Sequence, residues 1–162
     1  MQINYTRGEG LKRAKLFMCI CFLIYIIFLL YITLFGRLSE RIDKISLSPF
    51  WSYSAMIQTA NPNMCRQIFY NILAFIPLGI LLPMLGRRFR RLKNILLCGF
   101  LLSALIESAQ LLFHLGWCDI DDVINNTAGA VIGYGIWHIL RIPGKRLIKK
   151  FLQEEKPSCV ES

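Results

Sequence analysis

The chain has 162 residues, 55% of them hydrophobic and only 18% charged, with a net charge of +9 and a mean hydropathy of +0.48. At this length it makes one compact unit, and the apolar residues come in long unbroken runs instead of the stripes a water-soluble domain would show. These features argue against a soluble enzyme or a nucleic-acid-binding domain and point to an all-α, polytopic membrane protein.

Residues 1–15 form a basic head containing Arg7, Lys12, Arg13 and Lys15. The first run, 16–35, holds twenty residues without a charge; as a helix it spans roughly the 30 Å of a bilayer's hydrocarbon core. It is too long for the apolar stretch of a signal peptide and has no small-x-small cleavage site, so it reads as a retained anchor. The connection 36–67 contains Leu47-Ser48-Pro49-Phe50-Trp51-Ser52-Tyr53, whose aromatics suit a segment lying at the membrane interface. The second run, 68–85, is interrupted by Pro77 and Pro83, and Pro77 and Gly79 are expected to bend or unwind it at mid-depth.

A basic connection, 86–94, leads to the third run, 95–115, with Glu107 near its middle. An acidic turn, 116–122, holds Asp119, Asp121 and Asp122. The fourth run, 123–140, is the least hydrophobic because of Asn125, Asn126, Thr127 and its glycines, and a basic tail, 141–162, follows. The expected fold is a bundle of four transmembrane helices with an interfacial first outer loop.

Fifteen of the nineteen Lys and Arg residues fall in the head, the 86–94 connection and the tail. By the positive-inside rule those three segments are cytoplasmic, and the 36–67 connection and the acidic turn lie outside. The net positive charge is thereby accounted for by topology and anionic headgroups, without a nucleic-acid partner.

A carboxylate deep in an apolar run is unfavourable in lipid unless it has a partner or a purpose. On a helix, Glu107, Gln110 and His114 share an arc of about 60°, and Asp122, Asn126, Gly129 and Gly133 share another face. Asn71 and Arg66 lie near the outer end of the second run. A tight turn lets these faces meet, giving an outward-open polar pocket of Arg66, Asn71, Glu107, Gln110, Asp119, Asp122 and Asn126. The plainer alternative is that these side chains fasten helices together, with Glu107 protonated or paired to Arg66. Gly129-x-x-x-Gly133 is a spacing for close helix packing.

Glu107 with Asp119 or Asp122 would serve as an acid/base pair, but Ser108 has no evident base beside it. No zinc spacing, Gly-rich phosphate loop or Ser-His-Asp order is present. No metal or cofactor is expected, and the reading leans away from an enzyme. Cys65 and Cys118 both fall on the outer side, where an oxidising compartment would permit a disulfide.

The stretch Leu47-Ser48-Pro49-Phe50, then Arg66 and Asn71 leading into Phe75-Ile76-Pro77-Leu78-Gly79, then Glu107-x-x-Gln110, then Asp119-x-x-Asp122-Val123-x-x-Asn126-Thr127-x-Gly129-x-x-x-Gly133, resembles the VanZ-like family over about residues 47–135. The resemblance implies a bacterial envelope protein associated with lower susceptibility to teicoplanin-type lipoglycopeptides, and it supplies no catalytic residue. The reading it favours is a protein that binds or shields a membrane lipid or lipid-linked cell-wall component through the polar pocket. The alternatives are an enzyme that modifies an envelope lipid, and a small lipid transporter or flippase subunit. Lacking an internal repeat, a four-helix transporter would have to act as a homo-oligomer.

Overall fold

The computed structural model describes the backbone over residues 2–34, 44–115 and 117–154, and the side chains over 12–34, 45–115 and 118–141. The expected basic tail beyond Arg141, with Cys159, the head before Lys12, position 35 of the first run and positions 36–44 of the first connection fall outside the described side chains. The chain is almost entirely helical: α1 (Gln2–Leu34), α2 (Trp51–Thr59), α3 (Pro62–Leu85), α4 (Leu92–Leu112) and α5 (Ile120–Glu154), with two short strands, β1 (Lys44–Ser46) and β2 (Trp117–Asp119).

Among the described residues, three helical stretches are long and apolar enough to cross a membrane: Lys12–Leu34, Pro62–Leu85 and Leu92–Leu112. The fourth expected span falls in α5, which does not reach that measure among the described residues. The first two turns of α5 carry Asp121, Asp122, Asn125 and Asn126, all of them buried against the other helices.

Local chemistry sets the helix ends. α3 starts ahead of the apolar run, at Pro62, because the Asn61 side chain accepts the Asn63 amide proton at 3.0 Å and Pro62 occupies the first helical position, where a missing N–H does no harm. It then continues as an α-helix through both Pro77 and Pro83, so of the two expectations, a bend or an unwinding, the unwinding does not occur. α4 stops at Leu112, short of the expected 115. There the Leu115 amide donates to the Gln110 carbonyl at 2.8 Å and the His114 amide to Leu111 at 3.2 Å, while His114 adopts a left-handed φ of 55°. This is a Schellman stop, and it removes His114 from the helical face that the spacing assigned to it.

The core is formed by Leu29 of α1, Phe75, Leu78 and Leu82 of α3, Ile95 and Ile106 of α4, and Ala130 of α5. The closest approach is between α3 and α5. A Cβ built on Gly79 would lie 1.9 Å from the Ala130 carbonyl oxygen, on Gly129 2.1 Å from that of Ile72, and on Gly133 2.0 Å from that of Ile76. Only glycine allows two backbones to touch in this way. α1 is held more lightly: Tyr25 donates its hydroxyl proton to the Ala74 carbonyl at 2.8 Å, and Gln110 Nε2 donates to the Thr33 carbonyl at 2.9 Å near the end of α1.

Candidate functional site

The polar residues gather where α1 ends and α3 and α5 begin, at the opposite end of the bundle from the Arg87–Arg90 turn. Four carboxylates, Glu107, Asp119, Asp121 and Asp122, are buried there beside Ser103, Gln110, Asn125 and Asn126. A buried carboxylate is tolerated only when donors surround it. Each of these four has them.

Asp119 precedes the first residue of α5, and its Oδ1 accepts the Asp121 amide at 2.9 Å, the hydrogen bond of a helix N-cap. Both of its oxygens also receive the Trp51 indole N–H, at 2.9 and 3.0 Å. Asp121 reaches the other way. Its Oδ1 accepts the Phe50 amide at 2.6 Å, and its Oδ2 accepts the Ser52 amide at 2.9 Å and the Ser52 hydroxyl at 2.5 Å. Phe50 is left-handed with φ 64° and offers α2 no side-chain cap, so α2 is capped by a carboxylate from α5, 71 residues along the chain. Tyr53 adds a hydrogen bond from its hydroxyl to Asn125 Oδ1. Burial, and then the charge of Asp121, pushes the Tyr53 phenol above its ordinary pKa.

Asp122 ties α5 to α3: Asn71 Nδ2 donates to its Oδ1 at 2.5 Å, and Gln67 Nε2 lies at 3.4 Å. Asn126 Nδ2 donates to Ser103 Oγ at 2.8 Å, tying α5 to α4. Glu107 Oε2 accepts the Asp119 amide at 3.0 Å, a charge-assisted bond of a kind worth about 1.5–3 kcal/mol. The parallel pairing of β1 with β2, Ile45 opposite Cys118, ties down the chain leading into α2.

Beside this cluster lies a cleft of about 1130 Å³ between α1 and α3, roofed by Trp51. Of the seven residues expected in a pocket, Arg66, Asn71 and Asp119 line it. Glu107, Gln110, Asp122 and Asn126 are not part of its lining; they are buried in the contacts between helices. Arg66 does not reach Glu107. It is exposed at the cleft, where its Nη2 donates to Asn63 Oδ1. The cleft wall includes Phe28, Ile32, Leu73 and Pro77, so a polar end passes into an apolar trough.

Sequence reasoning missed Asp121, Trp51, Tyr53 and Gln67 as members of the network, and Tyr25 and Phe28 as walls of the cleft. Two signals were present: aromatics in the first turn of α2, and an acidic residue with no assigned partner. Ser108, His114 and Cys118 line a separate shallow pocket of about 680 Å³. The Ser108 hydroxyl there donates to the Ala104 carbonyl at 2.7 Å. Burial, and then Glu107, Asp119 and Asp122, pushes the Cys118 thiol up. Neither group is prepared as a nucleophile. Cys65 and Cys118 are both free thiols, not a disulfide pair. Among the described residues, no group of three or more His, Cys, Asp or Glu side chains is arranged to hold a metal ion.

The sequence profile of the VanZ/LLP1 family matches residues 22–141, which takes in both the cluster and the cleft. The chain belongs to the VanZ/LLP1 family. It is similar to Protein VanZ of Enterococcus faecium, with 29% identity over 131 residues covering 80% of this chain and 75% of that protein. No solved structure matches it. The VanZ/LLP1 match begins at Phe22, well before the region whose motifs are legible by eye, and so includes the α1 face that lines the cleft.

Proposed function

We propose that this VanZ/LLP1 protein spans the membrane four times with both termini in the cytoplasm, and that its acidic end faces outward. There it lowers susceptibility to teicoplanin-type lipoglycopeptides by binding or shielding a lipid or lipid-linked cell-wall component. The observation that carries this reading is the amphipathic cleft between α1 and α3, a trough with a polar end and apolar walls. The fourth span is supported by the burial of the polar residues of α5, whose Ile132, Ile139 and Leu140 are exposed in their place. The orientation is supported by the basic residues at the opposite end.

Binding is favoured over acid/base chemistry. Oxygens of Glu107, Asp119 and Asp121 take backbone amide protons and hold the framework together, so using them as proton carriers would disturb the fold.

The test is drug susceptibility in a sensitive host expressing either wild type or Leu73→Trp, which fills the cleft from a half-exposed position on α3. Wild type is expected to protect against teicoplanin, and Leu73→Trp to lose most of that protection while remaining abundant in the membrane. Equal sensitivity with and without the wild-type gene would end the resistance reading.

A further inference from the structure

We infer that the occupant of the cleft is a membrane lipid bearing a phosphate headgroup, entering sideways from the bilayer, with Arg66 as the residue that holds the phosphate. This rests on the reading of the cleft as the binding site and adds the ligand's chemical class.

Charge is the first argument. Arg66 is the one cationic side chain among the described residues lining the cleft. It donates through Nη2 to the neutral Asn63 side chain, and among the described residues no carboxylate is hydrogen-bonded to it. The carboxylate in the same wall, Asp119, is 2% exposed and is already met by the Trp51 indole and the Asp121 amide. The cleft therefore presents to a ligand a planar guanidinium with donors to spare, a group whose fork matches phosphate oxygens.

Length is the second. From Arg66 to Pro77 the α3 wall runs eleven residues, about 16 Å along a helix. That is close to the depth of one leaflet, about half of a 30 Å hydrocarbon core. Below the arginine the walls include Phe28 and Ile32 on one side and Leu73 and Pro77 on the other, a surface suited to an acyl or prenyl chain.

Access is the third. Phe28, Tyr70 and Leu73 are 59%, 58% and 48% exposed along the edge of the cleft. That edge faces where lipid chains would lie, so the ligand need not leave the bilayer to enter.

Native mass spectrometry of the detergent-solubilised full-length protein tests this, with phosphatidylglycerol, diacylglycerol of the same acyl chains, and inorganic phosphate as probes. Wild type should retain phosphatidylglycerol about tenfold better than diacylglycerol, and millimolar inorganic phosphate should not displace it. Arg66→Ala should erase the preference, and Arg66→Lys, keeping charge without the fork, should keep part of it. The inference is overturned if wild type holds both lipids equally, if free phosphate displaces the lipid, or if Arg66→Ala keeps the preference. In those cases the shielding reading stands as long as Leu73→Trp still abolishes drug protection. If Leu73→Trp protects as well as wild type, the cleft itself is not the functional site.

Discussion

α3 meets two of its long neighbours, α5 and α1, in opposite ways. Against α5 its backbone lies in contact through Gly79, Gly129 and Gly133, and no side chain separates the two helices there. Against α1 the ring-bearing side chains Tyr25, Phe28 and Tyr70 hold the helices apart over a cleft of about 1130 Å³, with Tyr25 bonded across it to Ala74. In lipid, apolar side chains gain little by leaving their surroundings, so close packing and hydrogen bonds must hold helices together. A seam of glycines gives the first and the buried amides and carboxylates give the second. The α1 side is the more open of the two.

The largest effect is expected at the closed seam. Gly133→Leu drives a branched side chain into the Ile76 carbonyl and should abolish recovery of monodisperse protein by size exclusion. Overpacking usually costs about 1–3 kcal/mol, and here the obstacle is backbone with no room to move aside. Gly135 sits two residues on with nothing within 4 Å of its Cβ position. Gly135→Ala should therefore leave recovery unchanged or raise stability by up to about 1 kcal/mol. Equal damage at both positions would refute the account of the seam.

Next comes the roof of the cleft. Asp121→Ala removes three hydrogen bonds to Phe50 and Ser52 and should destabilise α2 locally by about 1–2 kcal/mol, as loss of a cap does. Hydrogen exchange should rise over 50–59 while the α3 and α5 amides at their crossing keep their protection. Uniform loss of protection would mean that α2 and the seam form one cooperative unit.

A smaller change is expected from Tyr25→Phe, which deletes the bond from α1 to Ala74 at a cost of about 0.5–1.5 kcal/mol. Thermal unfolding in detergent should shift slightly, and a large loss would show α1 to be part of the closed core.

The smallest effect concerns Cys118, on the side of the cluster away from the cleft. Burial and the neighbouring carboxylates disfavour its thiolate. In a variant with the other cysteines changed to Ser, its alkylation rate should rise through a midpoint above that of an ordinary thiol. Asp122→Asn should lower that midpoint. Because the folded pKa is raised, this thiol's contribution to stability is full below its unfolded pKa and is lost as pH climbs through the folded value.

The elements were legible to different degrees. The three apolar spans, the glycine spacing and the acidic turn stand out because hydropathy and helical periodicity are local properties. α2 was hidden because its start has no cap of its own; it depends on Asp121 far along the chain. His114 was misplaced because the Schellman stop ends α4 before it, and a left-handed histidine gives no clear warning in the sequence. Of the candidate residues, Asn71 and Asp122 do meet, and so do Glu107 and Asp119. Arg66 lines the cleft, as expected of a pocket residue, and the alternative of its pairing with Glu107 is not what the structure has: it donates to Asn63.

Residue order alone therefore determined that the chain is helical and apolar, that its basic residues gather in three segments, and that its acids cluster at one turn, since each follows from composition and spacing along the chain. Tertiary structure decided which acids are framework and which residues face the cleft. Those roles depend on contacts such as Phe50 with Asp121 and Tyr25 with Ala74, 71 and 49 residues apart, and no local pattern encodes which distant partner a donor will find.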